Sequence, residues 1–398
     1  AAIMYRKFRA DRIFTGQELT DNPSVLITTE SGIIEDIVHP DVAGADTEYI
    51  GSGNILCPGL INAHCHLELS HLKDIIPPHT GLIDFLLGVV SKRDYNRSNM
   101  EAAIAAADLE MWNNGIVAVG DISNTADSLA VKQQSRIRWV NFIEVLSFTD
   151  DQAVDTIRRY EDVLKQFRHA AYENACNVGE QNAQLVPHAP YTVSPGSFRI
   201  INESTAGRVI SMHNQEHPAE DDLYQRGEGE YLRLFRFFGK EQSPFPVTGK
   251  CSFQSVLPHF NKNQQLLLVH NTYMPEEDLM FATQYGGNSG IKLYFCLCPN
   301  ANLYIENRLP PVQMFRKAGV DLVLGTDSYS SNYQLDIMQE IKTLRSSIPE
   351  IPYAELLTWA TLNGAKALKI DDRYGSFTRG KQPGIISINE NYKVRRLL

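Results

Sequence analysis

The sequence predicts an α/β fold in which eight parallel strands alternate with helices. Eight short runs rich in Val, Ile and Leu, bounded by Gly, Pro or Asn, are typical of parallel strands buried on both faces. They cover residues 57–64, 116–123, 138–146, 183–190, 208–215, 266–272, 292–300 and 321–328. Segments between them, such as 101–115 and 150–167, have helical apolar spacing, and the first ends at Gly115 as at a helix C-terminus. Eight strand–helix units amount to a (β/α)8 barrel, in which functional residues lie where the strands end.

The two ends of the chain do not show this alternation of strands and helices. Residues 25–38 alternate polar and apolar side chains around a Ser-Gly pair, which predicts a β-hairpin. Residues 375–390 have a similar strand-and-turn composition. We therefore expect residues 1–56 and 370–398 to form a small β-sandwich domain, and residues 57–369 to form the catalytic barrel.

Composition and charge exclude several classes of partner. The 398 residues are 43% hydrophobic and 21% charged, as in ordinary globular proteins. The net charge of -10, without a long basic run, argues against a nucleic acid polymer as partner. No apolar run approaches the ~20 residues of a membrane helix, and the first residues lack a signal-peptide pattern. We expect a cytoplasmic protein with a small-molecule substrate and no membrane partner.

The six cysteines are scattered and form no C-x-x-C pair, so we expect reduced thiols. Cys296 and Cys298 could form part of a thiolate metal site. Their i, i+2 spacing also fits two small buried side chains alternating on a strand, which is the interpretation that we favour.

Titratable side chains stand at the ends of five predicted strands. They are His64 with His66, His188, His213, His270 and Asp327. A single histidine at such a position is more often structural than a ligand. Five strand ends that meet at one mouth of a barrel predict a shared functional site instead.

The spacing of His64 and His66 favours a metal. At i, i+2 on an extended segment, both side chains point the same way. A catalytic zinc needs three or four protein ligands and an open position, and His213 and Asp327 can complete the set. Such a metal lowers the pKa of bound water to ~7. For Asp327 the alternative is a cap on the following helix.

Glu216 follows His213 by three residues and could move protons between water and a leaving nitrogen. The alternative is a solvated carboxylate on the next loop. His270 could bind the metal or hold the attacking water, and His188 could orient a substrate. A structural role remains open for both histidines.

Five segments in this order resemble the amidohydrolase superfamily. They are "PGLINAHCHLE", "HAPYTVSP", "HNQE", "LLVHNT" and "LGTDSYSSN". The resemblance runs from "ADRIFTG" near the start to "GSFTRGKQPG" near the end. It is closest to the branch that contains S-adenosylhomocysteine, methylthioadenosine and aminodeoxyfutalosine deaminases and the chlorohydrolases.

The resemblance implies one divalent metal, zinc or alternatively iron or manganese, held by four side chains. These ligands would be His64, His66, His213 and Asp327. His270 would hold the water, Asp327 and Glu216 would shuttle protons, and His188 would contact the substrate. Members with two metals commonly have a lysine at the end of strand four, and residues 183–190 contain none.

The same resemblance implies hydrolytic deamination of a purine-nucleoside-like or related N-heterocyclic substrate. S-adenosylhomocysteine deaminases have a glutamate after strand one, whereas residues 85–96 here offer Lys92, Arg93 and Asp94. This stretch is more similar to that of aminodeoxyfutalosine deaminases, whose acidic benzoate group would suit Arg93.

Glu68 is a further candidate for the substrate pocket, with a salt bridge to Lys73 or Arg93 as the alternative. His71 is expected to be structural or solvated. Adenosine, S-adenosylhomocysteine and methylthioadenosine remain candidate substrates beside aminodeoxyfutalosine. Chlorohydrolase or cyclic amide hydrolase activity, or a barrel without catalysis, are the alternative functions, and a homodimer is implied by the resemblance.

Overall fold

The computed structural model of the protein describes residues 4–398. Seven strands come first: β1 (Tyr5–Ala10), β2 (Arg12–Phe14), β3 (Leu19–Thr20), β4 (Ser24–Thr29), β5 (Ile34–Val38), β6 (Glu48–Tyr49) and β7 (Ile55–Pro58). Eight more follow: β8 (Leu60–Cys65), β9 (Ile116–Ser123), β10 (Arg138–Val145), β11 (Ala183–Pro187), β12 (Val209–Asn214), β13 (Gln265–His270), β14 (Lys292–Leu297) and β15 (Leu322–Leu324). The last two are β16 (Ile385–Ile388) and β17 (Val394–Arg396).

The helices lie mostly between β8 and β16. They are α1 (Leu82–Lys92), α2 (Met100–Asn113), α3 (Leu129–Gln134), α4 (Ala153–His169), α5 (Pro195–Ser204), α6 (Ala219–Arg226), α7 (Tyr231–Phe237), α8 (Ser252–Val256), α9 (Glu276–Ser289), α10 (Pro299–Glu306), α11 (Val312–Ala318), α12 (Ile337–Ser347), α13 (Tyr353–Thr358) and α14 (Gly364–Ala367). Within the described residues, none of these helices has both the length and the hydropathy needed to cross a bilayer.

Strands β8 to β15 form two four-stranded parallel sheets, ordered β11-β10-β9-β8 and β12-β13-β14-β15. All eight strands are buried over most of their length, which explains their continuous apolar character. Each predicted apolar run overlaps one of them, so the predicted α/β class with parallel strands is confirmed. The first run also contains the end of β7, because Gly59 separates β7 from β8.

Backbone hydrogen bonds connect the two parallel sheets on both sides. The N–H of His213, in β12, donates to the carbonyl oxygen of His188, just after β11, over 3.0 Å. The N–H groups of Thr326 and Asp327, after β15, donate to the carbonyl oxygen of His64 in β8 over 3.1 and 3.0 Å. These bonds bring the carboxyl ends of strands from both sheets to one place.

The remaining strands form two further sheets, ordered β5-β4-β1-β6 and β17-β16-β7-β2-β3. Strands β4 and β5 are antiparallel, which confirms the predicted hairpin. Strand β16 pairs with β7, so the two ends of the chain share a sheet. Apolar residues from both sheets pack in a second cluster, comprising Phe8, Ala10, Ile13, Leu26, Ile34, Ile50, Leu56, Phe377 and Ile385.

Cysteine side chains contribute to packing. All six are free thiols, as predicted, and Cys65, Cys296 and Cys298 are fully buried in the main apolar core. Of the described residues that are grouped closely enough to hold a metal ion, none is a cysteine. The interpretation of residues 296–298 as small buried side chains is therefore confirmed.

Gly325 should be essential for the contact between β15 and β8. A Cβ atom there would lie 2.8 Å from Cβ of His64 and 3.0 Å from its backbone N and O. We expect Gly325→Ala to lower the free energy of unfolding by about 1–3 kcal/mol, measured by urea denaturation, because the backbones must separate. Gly287→Ala in α9 is the control, since its Cβ would meet nothing within 4 Å. Equal stability of the two variants would contradict this account.

Candidate metal centre and active site

Four side chains from three strand ends converge on one point. His64 lies in β8, His66 directly follows it, His213 lies in β12, and Asp327 follows β15. Nε2 of His66 is 3.2 Å from Nε2 of His64 and 3.3 Å from Nε2 of His213. Oδ1 of Asp327 is 3.4 Å from the Nε2 atoms of both His64 and His66. The structure thus brings together all four side chains for which the sequence predicts metal binding.

The four distances given above match those between ligands that share one metal ion. Ligands about 2.0–2.1 Å from a zinc ion lie about 3.3–3.4 Å from each other in a tetrahedron. Nδ1 of His213 is 2.8 Å from the carbonyl oxygen of His188, and a bond donated there leaves the lone pair of Nε2 for a metal. Burial lowers the pKa of His64 and His66, which favours the neutral imidazole that a metal requires.

Asp327 is held as a charged carboxylate. Burial alone would raise its pKa, but His66, His270 and His213 hold the pKa below its ordinary value. Ser331 Oγ donates to Oδ2 of Asp327 over 2.8 Å. The next helix, α12, is capped by Asp336 instead, whose side chain accepts from the backbone N–H of Met338. Asp327 therefore does not cap α12, which was the alternative role considered for it.

Glu216 and His270 form a second pair beside this cluster. Oε2 of Glu216 is 3.3 Å from Nε2 of His270, which in turn is 3.9 Å from Oδ2 of Asp327. Burial, together with the charge of Asp327, raises the pKa of Glu216 well above its ordinary value. Burial lowers the pKa of His270 to about 3. Glu216 is buried, so the alternative interpretation as a solvated carboxylate on the next loop is wrong.

Three residues at these strand ends have a left-handed backbone conformation. The φ angles of Gln215, His270 and Asp327 are +47°, +79° and +57°, in the left-handed region that non-glycine residues rarely adopt. Each such residue costs on the order of 1–3 kcal/mol and persists only where its surroundings enforce it. The chain turns at these strand ends, where His270 and Asp327 line the cavity and Gln215 instead donates to Asp278 over 2.7 Å.

A cavity of about 450 Å³ opens beside the cluster. His66, His188, His213, Glu216, His270 and Asp327 line one side of it. Apolar side chains from α1 and from the region of α7 line another side, among them Leu82, Phe85, Val89, Leu234, Phe237 and Phe238. The cavity can therefore hold a small organic molecule with one end at the polar cluster and an apolar part against the helices.

His188 and Arg93 line this cavity, whereas Glu68 does not. Glu68 is fully buried and forms a salt bridge with Arg93, the alternative that its sequence position left open. Its oxygens also accept from the backbone N–H of Asn124 over 2.8 Å and from Thr125 Oγ1 over 2.9 Å. Glu68 therefore contacts Arg93, a residue of the cavity wall, rather than the cavity itself.

Two further histidines make short polar contacts. Nδ1 of His188 is 2.7 Å from Oγ1 of Thr192, and this contact fixes the ring at the edge of the cavity. His71 is buried, with Nε2 2.7 Å from the carbonyl oxygen of Arg93, as expected for a structural residue.

Glu144 was missed by the sequence analysis. It lies near the end of β10, lines the cavity, and places Oε2 3.5 Å from Nδ1 of His213. Its other oxygen, Oε1, accepts from Nδ2 of Asn124 over 3.0 Å. The signal was present in the sequence, because Glu144 interrupts the apolar run 138–146 near its end, as the histidines do in other runs.

The metal site can be tested by metal analysis. We expect the purified protein to bind one divalent ion per chain, and His64→Ala and Asp327→Ala to bind it at least ~10-fold more weakly because each loses one ligand. Bound ion should also raise the melting temperature of the wild type. His39→Ala is the control, since this side chain is 65% exposed. Unchanged metal content in both ligand variants would overturn the assignment.

Known proteins resemble this chain over most of its length. A protein of Teredinibacter turnerae named 5-methylthioadenosine/S-adenosylhomocysteine deaminase is 26% identical over 359 residues, which cover 85% of this chain and 72% of that protein. The structure of Helicobacter pylori aminofutalosine deaminase in complex with methylthio-coformycin superposes with a TM-score of 0.79 at 21% identity, covering 98% of this chain and 93% of that chain.

A mutant atrazine chlorohydrolase of Arthrobacter aurescens, complexed with zinc and atraton, has the same fold, with a TM-score of 0.72 at 17% identity; the match covers 96% of this chain and 87% of that chain. The model of the family described as the amidohydrolase family matches residues 55–396. Because this match spans most of the sequence and includes every strand end of the site, the chain belongs to the amidohydrolase family.

Proposed function

We propose that this protein is a metal-dependent aminohydrolase that removes an amino group from a purine-nucleoside-like or related N-heterocyclic substrate and releases ammonia. The observation that carries the proposal is the position of Glu216. Its carboxyl group is buried at the cavity wall, 3.3 Å from His270 and beside the cluster of His64, His66, His213 and Asp327. A proton donor in this position suits a nitrogen leaving group.

The four clustered side chains would hold a single divalent ion, and zinc fits their donor set of three imidazoles and one carboxylate. When bound, such an ion supplies Lewis acidity and lowers the pKa of water to about 7. Zinc in the related chlorohydrolase structure supports this choice. Iron or manganese are alternatives, because the same ligands accept them.

The residues of the chain would move the protons. Water adds to the ring carbon that carries the amino group, and Asp327 accepts one proton of that water. Glu216 delivers a proton to the departing nitrogen, so that the C–N bond breaks, ammonia leaves, and the ring keeps the oxygen of the water. His270, with Nε2 facing both carboxylates, orients the water during its attack.

Substrate binding would involve the remaining cavity residues. We assign His188 to direct contact with the substrate because it lines the cavity beside His213. Arg93 would present those N–H groups that Glu68 does not occupy, and Glu68 would hold it in place. Aminodeoxyfutalosine, S-adenosylhomocysteine, methylthioadenosine and adenosine are the candidate substrates, in keeping with the names of the similar proteins.

The architecture belongs to the same proposal. The hydrogen bonds from His213 to His188 and from Asp327 to His64 support closure of the two parallel sheets into one (β/α)8 barrel. Residues 57–369 would be this barrel, and residues 1–56 with 370–398 a β-sandwich domain. The boundary falls within β7. Cytoplasmic location and a homodimer stay predictions.

Hydrolysis of a carbon–halogen bond is the second candidate, favoured by the similarity to atrazine chlorohydrolase. Chloride leaves without a proton, whereas an amine must be protonated, so the buried carboxyl group of Glu216 favours deamination. Cyclic amide hydrolysis is a further alternative. Product analysis separates them, because ammonia is released only by deamination.

The activity can be tested with a panel of substrates. We expect metal-loaded protein to release ammonia from at least one of the four candidate nucleosides, measured by a coupled ammonia assay and by loss of the adenine absorbance. An atrazine-type chloride and a cyclic amide serve as comparison substrates. Product from these two alone would contradict deamination, and silence over the whole panel with metal bound would contradict the enzyme class.

Glu216 provides a sharper test of the mechanism. We expect Glu216→Gln to lower kcat/KM by about 10²–10⁴-fold, because the amide cannot carry the proton to the leaving nitrogen. Its metal content should equal that of the wild type, since Glu216 is not among the four ligands. Glu228→Gln, at an exposed side chain, is the control. A Glu216→Gln enzyme with wild-type kcat/KM would exclude this role.

A further inference from the structure

A lysine and an aspartate form an ion pair that is entirely buried beneath the proposed metal site. Nζ of Lys132, in α3, is 2.5 Å from Oδ2 of Asp121, in β9, and neither side chain has any exposed surface. Nζ also lies 2.8 Å from Oδ1 of Asn141 and 3.4 Å from Oγ of Ser123. Burying two charges in this way is costly, and hydrophobic residues often stabilise a fold at least as well. The pair therefore calls for a functional explanation.

The second oxygen of the aspartate indicates what the pair does. Oδ1 of Asp121 accepts from the backbone N–H of Leu67 over 2.9 Å. Leu67 directly follows His66 and lies two residues beyond Cys65, the last residue of β8. The pairing of β8 with β9 is irregular between Asn62 and Cys65, where the ligands leave the strand. The carboxylate thus holds a backbone N–H at the point where the regular ladder no longer does.

Lys132 fixes the orientation of this carboxylate. Its ammonium group contacts Oδ2, so Oδ1 is left to face Leu67. The ammonium also lies against the rings of Trp139 and Phe167, at 4.8 and 5.2 Å from their centroids, which restricts its movement. The result is a rigid connection from α3 through Asp121 to the chain directly after His66.

We propose that Asp121, oriented by Lys132, is a positioning residue that sets metal affinity by fixing the backbone after His66. The inference rests on the proposed function, since it requires His66 to bind a metal. Outer groups that hold a ligand in place contribute about 10- to 100-fold to metal affinity. The acceptor oxygen at position 121, rather than the charge of the pair, is what the site needs.

Two double variants separate the acceptor from the charge. Asp121→Asn with Lys132→Met removes both charges but keeps an oxygen that accepts from Leu67, whereas Asp121→Leu with Lys132→Met removes the acceptor as well. We expect the Kd for Zn²⁺, measured by competition with a chromophoric chelator, to rise about 10- to 100-fold in the second double variant. The first should lose clearly less affinity, because its amide oxygen can still accept from Leu67 although the lysine no longer orients it. Circular dichroism and melting curves check that both are folded.

The outcomes distinguish this inference from the proposed function. A similar loss of Zn²⁺ affinity in both double variants would overturn the positioning role and assign the effect to the charges. Wild-type affinity in both would overturn it as well. A wild-type protein that binds no Zn²⁺ would contradict the proposed metal site itself. If the variant with Asp121→Leu does not fold, Asp121→Ala with Lys132→Met removes the acceptor without inserting a larger group, and the same comparison applies.

Discussion

The contact between the end of β15 and the carbonyl oxygen of His64 is the constraint on which the site depends. Two backbone N–H groups, from Thr326 and Asp327, donate to this one oxygen. The bonds join the last parallel strand to the first, and they also place the Asp327 carboxylate beside the imidazole of His64. Because Gly325 precedes them without a side chain, the two backbones can approach this closely. A single local contact therefore connects the sheets and assembles part of the candidate metal site.

The electrostatics of the cluster follow from its burial. Imidazoles excluded from water are disfavoured as cations, so those of His64, His66 and His188 are held neutral. The pKa values of the two carboxyl groups shift in opposite directions. Burial and then the neighbouring acids raise the pKa of Glu216, whereas the histidines around Asp327 outweigh its burial and hold its pKa down. One buried carboxyl group is thereby charged and its neighbour favours the protonated form. This difference suits an acceptor and a donor of protons in the same cavity.

The sequence predicts the parallel strands well, and it identifies the four side chains that the structure brings together as a candidate metal site, because both leave a local pattern. A titratable residue that ends an apolar run is visible without knowledge of the fold, as for His213 in 208–215. Glu144 also lies near the end of an apolar run, but it was not predicted because no histidine motif stands beside it. The contact of Glu68 with Arg93 spans 25 residues, and either lysine or arginine could have been its partner. The Asp121–Lys132 pair left no recognisable sequence pattern, because the proposed role of Asp121 depends on its hydrogen bond from the backbone N–H of Leu67, which only the structure shows.

The separate origins of the two cavity walls have a consequence for how this protein can diverge. The reactive groups come from strand ends, whose positions are fixed by the sheets, whereas the apolar wall comes from α1 and the region of α7. Phe237 is half exposed and Phe238 about one-third exposed, so these two side chains contribute little to packing of the apolar core. Substitutions at these two positions can reshape the cavity at little cost to the folded state, whereas Leu82, Phe85, Val89 and Leu234 of the same wall belong to the apolar core. Selectivity and reactivity can therefore evolve at independent rates along one chain.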